Sequence, residues 1–353
     1  MSDEESQNIS DAEFLGQAGA KIEGQTRLEA AYGSGDGDEQ SIASATVAGG
    51  TKQHEQAHLG TVFDQSYRPW GGSLNPRWAR NWAILRHHVY GLFSKGHRPY
   101  GMATKLILFA AFLISLADLG MSFISAVLGQ DDMHRVFGIS RDNLYGHVLG
   151  FWPRNAICFP IIAALLIGGI ISEDRMHGTS AIYFSRPLNR IDYTAMKFLS
   201  VAIVLFMLIV GTLGIYYTGD ILMQGEGWAF FLDTLPIFLG AALAGTILVF
   251  TYSSIGLALS SVSRGKFFPA VALLGIFLGM KLIAFLIYSL FERSVLYLLS
   301  PYDCVAHVGQ ALVGTTATYD HPWTWSLMSL VVINAIALYI LATRVSSMEV
   351  TRE

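Results

Sequence analysis

Charge is scarce in this chain: only 14% of its 353 residues are Asp, Glu, Lys or Arg, against 52% that are hydrophobic. Soluble globular domains carry about a quarter charged residues, so this deficit excludes an ordinary water-soluble core and points to lipid. Cysteine is scarcer still. The two present, Cys158 and Cys304, fall in an expected span and an expected outer loop, and give neither a metal spacing nor a case for a disulfide. A phosphate loop of the form Gly-x-x-x-x-Gly-Lys-Ser/Thr is also missing. The nearest approach, Gly265-Lys266, is followed by Phe267 and has Ser260 where the first glycine should stand. No apolar stretch follows Met1 within roughly thirty residues, so no cleavable signal peptide is expected.

The charge that is present is unevenly placed. Residues 1–66 hold twelve acids and three bases, a net of −9, and the remainder fifteen acids and twenty bases, a net of +5. The acidic part, rich in Gly, Ser and Ala (Gly33-Ser34-Gly35-Asp36-Gly37-Asp38-Glu39), cannot bury enough apolar surface to offset the entropy of ordering and is read as a disordered tail.

The body is apolar at membrane length. Covering about 30 Å of hydrocarbon takes about 20 mostly apolar residues. Segments 105–128, 155–172, 196–217, 235–260 and 267–290 meet this, and 326–343 is shorter but free of charge. Pro160, Pro236 and Pro269 are expected near the starts of their spans, where a missing amide hydrogen costs least. With the N-terminus placed in the cytoplasm, eighteen Lys and Arg fall on the inner side and four on the outer, so both termini are expected inside.

Before the first span, Trp78, Trp82, Leu85, Val89, Leu92 and Phe93 recur at helical spacing, while Arg77, Arg80, Asn81, Arg86 and His87 lie largely elsewhere on the wheel. Such a helix suits the membrane interface, with its tryptophans at headgroup level; the alternative is a soluble helix packed on a partner. The expected architecture is an all-α integral membrane protein. It comprises an acidic cytoplasmic tail (1–66), a lead-in with an amphipathic interfacial helix (67–104), a six-span helical bundle (105–345) and a cytoplasmic C-terminus (346–353).

The most informative stretch begins where the second span ends. Glu173-Asp174-Arg175 opens a polar break, Gly178-Thr179 follows, then Tyr183-Phe184, a Ser185-Arg186-Pro187 stop, Arg190, and Lys197 leading into the next helix. Pro187 disfavours helix at Arg186, so a short helix followed by a turn is expected, presenting charges of both signs as a docking surface does.

This pattern resembles the membrane subunit of type-2 ATP-binding-cassette (ABC) transporters, the exporter-type permeases. In that family an acidic residue, a basic residue, Gly-Thr, a short apolar run, a Ser-Arg-Pro-like turn, Arg and Lys stand in this order between spans two and three. Ser300-Pro301, before the last span, also fits. The resemblance covers roughly residues 67–350, with its specificity concentrated in 168–197. It implies that Glu173, Asp174, Arg175, Gly178, Thr179, Tyr183, Phe184, Arg186, Pro187, Arg190 and Lys197 form a coupling loop touching a cytoplasmic ABC ATPase. It further implies a complex of two ATPases and two permeases (homodimer or heterodimer) in the plasma membrane, and short helices in 291–325 that dip into the outer leaflet. No cofactor is expected on this chain, since ATP and Mg would be held by the partner, and neither nucleic-acid binding nor enzymatic activity of its own is expected. The family's cargoes include lipids, polysaccharides, drugs, peptides and ions.

Two further features lie in the spans. Ser115, Asp118, Ser122 and Ser125 share one face of the first, and Lys281 lies at similar depth in the fifth. A buried Asp118–Lys281 pair is the simplest expectation, serving either a pathway or packing alone. Gly275 and Gly279 make a small-xxx-small face suited to close helix packing.

A rival motif stands in the tail. His54-Glu55-Gln56-Ala57-His58 matches the zincin pattern, in which two histidines one turn apart hold zinc and the glutamate activates water. Such a site needs a rigid helix and a third ligand; Asp64 could supply the ligand, but about sixty residues do not build the surrounding domain. His134, His147, His307 and His321 in outer loops read as scattered surface residues rather than a metal site. A non-transporting membrane scaffold is the remaining alternative.

Overall fold

The structure is a computed structural model that describes residues 75–93, 101–129, 141, 157–179, 183, 189–224, 228–265 and 267–350, with side chains omitted at Asp118, Gln224 and 348–350. The tail and its His54–His58 motif lie outside the described residues. All the described elements are helical and belong to one unit, Leu74–Glu353.

In chain order, α1 spans Arg77–Phe93, α2 Met102–Ser115, α3 Ala117–Leu128, α4 Cys158–Ile167 and α5 Ser172–Met176. Next come α6 Arg190–Gln224, α7 Trp228–Val262 and α8 Phe267–Leu274. A π-helical turn over Gly275–Gly279 joins α8 to α9 Met280–Phe291. A 3₁₀ turn Ser294–Leu299 leads to α10 Pro301–Val313, and α11 covers Trp323–Val350.

Four helices among the described residues are long and apolar enough to cross a membrane: Arg190–Met223, Trp228–Val262, Phe267–Phe291 and Trp323–Ser347. A fifth results if α2 and the following helix, bent by 41°, make one span. Within the segment read as a second span, α4 is only 10 residues long, about 15 Å. Residues 151–156, where that span was expected to begin, lie outside the described residues.

α6 and α7 are each 35 residues long, much more than their apolar stretches predict. Hydrocarbon requires apolar side chains, but a helix does not, so both continue beyond the apolar window. Because α7 begins at Trp228, Pro236 falls inside it rather than near its start. Pro160 and Pro269 are each the third residue of their helices, as expected. Ser300-Pro301 begins α10: the Ser300 side chain accepts a hydrogen bond from the Asp303 amide at 3.3 Å, and Pro301 occupies the first turn.

The core forms around α4 and α7. Phe159, Ile162, Ala163, Leu166 and Ile167 of α4 are buried, as are Leu248, Tyr252, Ile255 and Leu257 of α7. The backbones of α7 and α10 come very close at Gly240, where an added Cβ would stand 2.6 Å from the Leu312 carbonyl oxygen. The buried amide of Asn334 of α11 finds partners inside the bundle: it donates to Thr251 at 3.2 Å and also meets Ser254, as buried amides in apolar surroundings must. The outward faces keep large apolar side chains exposed, among them Phe206, Met207, Val331 and Ile336.

α1 packs on α6 and buries Leu85 and Leu92, whereas Trp78, Trp82 and Phe93 remain exposed. The apolar stripe therefore divides: its centre faces protein, and the tryptophans stay free for an interface.

Candidate functional site

The sequence after α4 breaks and restarts its helix, and a hydroxyl from α7 fills the break. α4 ends at Gly168, turns follow to Ile171, and α5 begins at Ser172. Restarting a helix leaves orphan amides. The amides of Ile171 and Ser172 both donate to Ser260 Oγ at 3.1 Å, and Ser260 in turn donates to the Gly168 carbonyl at 3.3 Å. One side chain thus satisfies both sides of the gap.

α5 carries three charges in a row, and they diverge. Arg175 reaches the carbonyl oxygens of Ser261, in the last turn of α7, and of Ser263 just beyond it, the latter at 3.5 Å. Burial lowers the Arg175 pKa, and the Arg264 and Arg344 charges add to this, so three cations gather at this end of the bundle. Glu173 folds back against Gly169, where an added Cβ would meet its carboxyl at 2.9 Å. Asp174 turns inward.

Around Asp174 the loop and three helices converge. Gly178 takes φ +67°, a conformation open to glycine without strain. The chain then folds back so that the Thr179 hydroxyl donates to Asp174 Oδ1 at 3.1 Å. Tyr193 OH donates to Asp174 Oδ2 at 2.6 Å, and Lys197 Nζ lies 2.9 Å from the same oxygen. Lys197 is 1% exposed and also donates to the Ile170 carbonyl at 3.1 Å. Its third neighbour is His88 Nε2 of α1 at 2.8 Å. Burial first, then the charges of Lys197 and His87, pull the His88 pKa down to about 2. The imidazole is therefore neutral, and Nε2 accepts the Lys197 proton. The node borders a cavity of about 510 Å³ lined also by His87, Thr104 and Glu173.

Two further ties anchor the start of α6. Arg77 of α1 holds Asp192 through both carboxylate oxygens, at 2.8 and 2.6 Å. Arg190 donates to Ser346 of α11 at 3.0 Å.

Of the residues that the motif singled out, Asp174, Thr179, Tyr183 and Lys197 come together, with the Tyr183 ring 5.7 Å from Lys197 Nζ. Glu173 and Arg175 flank them, and Arg190 stands apart, bonded to Ser346 of α11. Phe184, Arg186 and Pro187 lie outside the described residues. Sequence reasoning missed Tyr193, His88, Ser260 and the Arg77–Asp192 pair. Tyr193 was detectable, since it precedes Lys197 by four residues and so shares its helix face. The others depend on contacts distant in sequence.

The polar residues of the spans divide. Ser115 and Ser122 are buried, and Ser115 donates to the Ala111 carbonyl at 2.7 Å. The Asp118 side chain lies outside the described residues. Among the described side chains Lys281 faces Asp303 of α10, with Nζ 4.0 Å from Oδ1 and 3.9 Å from the Tyr302 ring centre. Gly275 and Gly279 fall in the π-turn, and a Cβ on either would meet nothing within 4 Å in this chain.

Behind Asp303 runs a second polar cluster. Tyr319 OH donates to Asp303 Oδ1 at 2.9 Å, and the rings of His307 and His321 meet edge-on at 4.8 Å with Ser326 hydrogen-bonded to both. No group of three or more His, Cys, Asp or Glu among the described residues is placed to hold a metal ion. Cys158 and Cys304 are both thiols, and burial pushes that of Cys304 up to about 12.

Long apolar helices packed through buried polar contacts, with a charged elbow at one end, define a multi-pass helical membrane protein. A family profile described as ABC-2 family transporter protein matches residues 28–346, and the chain belongs to that family. No curated protein matches the chain. Family membership makes it a permease of ABC transporters that works with an ABC ATPase subunit.

Proposed function

We propose that this chain is the permease half of an exporter in which ATP hydrolysed on a separate cytoplasmic subunit drives movement of a substrate across the plasma membrane. On this reading the membrane domain has six spans, with the segment around α4 as the second, and both termini face the cytoplasm. The chain performs no hydrolysis itself; ATP and Mg belong to two ATPase copies that serve a pair of permeases, identical or related.

The observation that carries the reading is the convergence on Asp174. A displacement of α5 by a docked ATPase acts through Asp174 on Lys197 of α6 and, through Lys197, on His88 of α1. Arg175 passes the same displacement to the end of α7. Buried charged contacts resist being stretched, so the elbow and three helices move as one. The cations Arg175, Arg264 and Arg344 suit an acidic partner surface.

Arg175→Glu tests this. ATPase co-purification is expected to fall while membrane insertion is kept, and Arg175→Lys to retain most of the association. Unchanged association with Arg175→Glu removes the coupling role and leaves a helical membrane scaffold.

A further inference from the structure

Deep in its span, past the π-turn, Lys281 is short of acceptors among the described residues. It lies ten residues before the end of its helix at Phe291, about 15 Å along the axis. Its ammonium has three protons to donate. Among the described residues its polar contacts are the Tyr302 ring and Asp303, and at 4.0 Å the latter is beyond hydrogen-bond length. Asp303 cannot readily come closer. It is 2% exposed, it begins α10 under the Ser300 cap, and Tyr319 holds its nearer oxygen.

Lys281 instead borders a cavity of about 510 Å³, within the range of pockets that bury small ligands. Apart from the Asp303 carboxylate, the other polar groups on the wall are hydroxyls, of Tyr288, Ser294, Tyr297, Thr318 and Tyr319. Thr318 Oγ1 accepts from Gln310 at 2.6 Å, which leaves its own proton to point elsewhere. Tyr288 and Tyr297 add phenols, their rings 5.5 Å apart. The remaining wall is apolar: Leu278, Leu282 and Phe285 line it, and the last two are more than half exposed on the outward face of α9. The π-turn lies directly before this helix and so sets the azimuth of Lys281, as π-turns at ligand sites do.

We propose that this cavity binds an anionic amphiphile, its head on Lys281 and the neighbouring hydroxyls and its alkyl chain along Leu282 and Phe285. Asp303 also lines the cavity, but an anion is favoured over a cation because the Lys281 side chain is 25% exposed against 2% for Asp303, whose Oδ1 is already taken by Tyr319. A chain is favoured over a bare anion because the wall beside Lys281 opens on an apolar outward face. The inference requires no ATPase and stands whether or not the elbow couples to one.

The test uses the full-length chain in phosphatidylcholine nanodiscs and a dodecyl phosphate bearing a diazirine, with labelled peptides mapped by mass spectrometry. Labelling within 278–288 is expected, reduced about tenfold by Lys281→Gln, as loss of one charged hydrogen bond implies. Lys281→Arg should keep it, and Leu282→Trp should reduce it with the charge intact. Competition by phosphatidylglycerol in the disc supports the site and names a bilayer lipid as its source, and labelling that resists such competition supports it with a free amphiphile as source. Equal labelling by a dodecyl choline probe, full competition by inorganic phosphate, or labelling unchanged by Lys281→Gln in a variant that elutes as a folded monodisperse species overturns the proposal.

Discussion

Lys197 Nζ stands 2.9 Å from Asp174 Oδ2 with the lysine 1% exposed, so a basic residue about two turns into α6 is fastened to the elbow helix α5. Neither charge would be stable alone in this setting. Asp174 is further held by Tyr193 and Thr179, and Lys197 by His88 and a carbonyl. The pair has the hydrogen-bonded surroundings that a buried ion pair requires.

Removing one partner should therefore be worse than removing both. Lys197→Met strands the Asp174 carboxylate, and a loss of about 3 kcal/mol is expected. The double change Lys197→Met with Asp174→Asn should recover much of it. Thermal unfolding of the purified variants measures the difference, and equal losses for single and double variants would show that the charges do not depend on each other.

Ser260→Ala should leave the Ile171 and Ser172 amides without their acceptor. Two orphaned donors at a helix restart predict a loss of about 1–3 kcal/mol, with faster hydrogen exchange confined to these amides and the start of α5. Ser260→Thr, which keeps the hydroxyl, should behave nearer to the parent.

Two glycines of α7 should differ in their tolerance of alanine. At Gly240 the new Cβ would meet a backbone carbonyl, whereas at Gly256 it would meet the end of the Ile167 side chain at 2.7 Å. A side chain can change rotamer, but a carbonyl in a packed helix cannot move without its helix. Gly240→Ala should lower the midpoint of thermal unfolding clearly more than Gly256→Ala, and the reverse order would contradict the α7–α10 contact.

The His307–His321 cluster predicts sensitivity to acid. Burial first, then the neighbouring His321, pull His307 down to about 4, and burial also lowers His321. An unfolded histidine titrates near 6.5. Between these values the unfolded chain binds more protons than the folded one, so stability falls as pH falls. The contribution is complete above about pH 6.5 and is lost on acidification towards about 4. His307→Gln should flatten that part of the stability profile.

The elbow motif was legible because its chemistry is local. Glu173 to Lys197 sit in one short stretch, and Gly178-Thr179 announces its turn. The companions were not, because they come from afar: His88 lies 109 residues from Lys197, and Ser260 lies 89 from Ile171. Lys281 shows the same limit. Apolar spacing places a residue at a depth in the span, but depth does not decide which neighbours on other helices, such as Asp303, it faces. The azimuth does, and here the π-turn helps to set it.

By itself the sequence determined that this chain is helical and made for a bilayer, and it carried the motif of its family. Hydrocarbon demands length, apolarity and internal hydrogen bonding one segment at a time, so these properties can be read along the chain. Only the tertiary structure decided that Lys197 meets His88 as well as Asp174, that Ser260 closes the gap before α5, and that Lys281 faces a cavity beside Asp303. These follow from which helices lie side by side and how each is rotated, and packing fixes both only when all the helices are present.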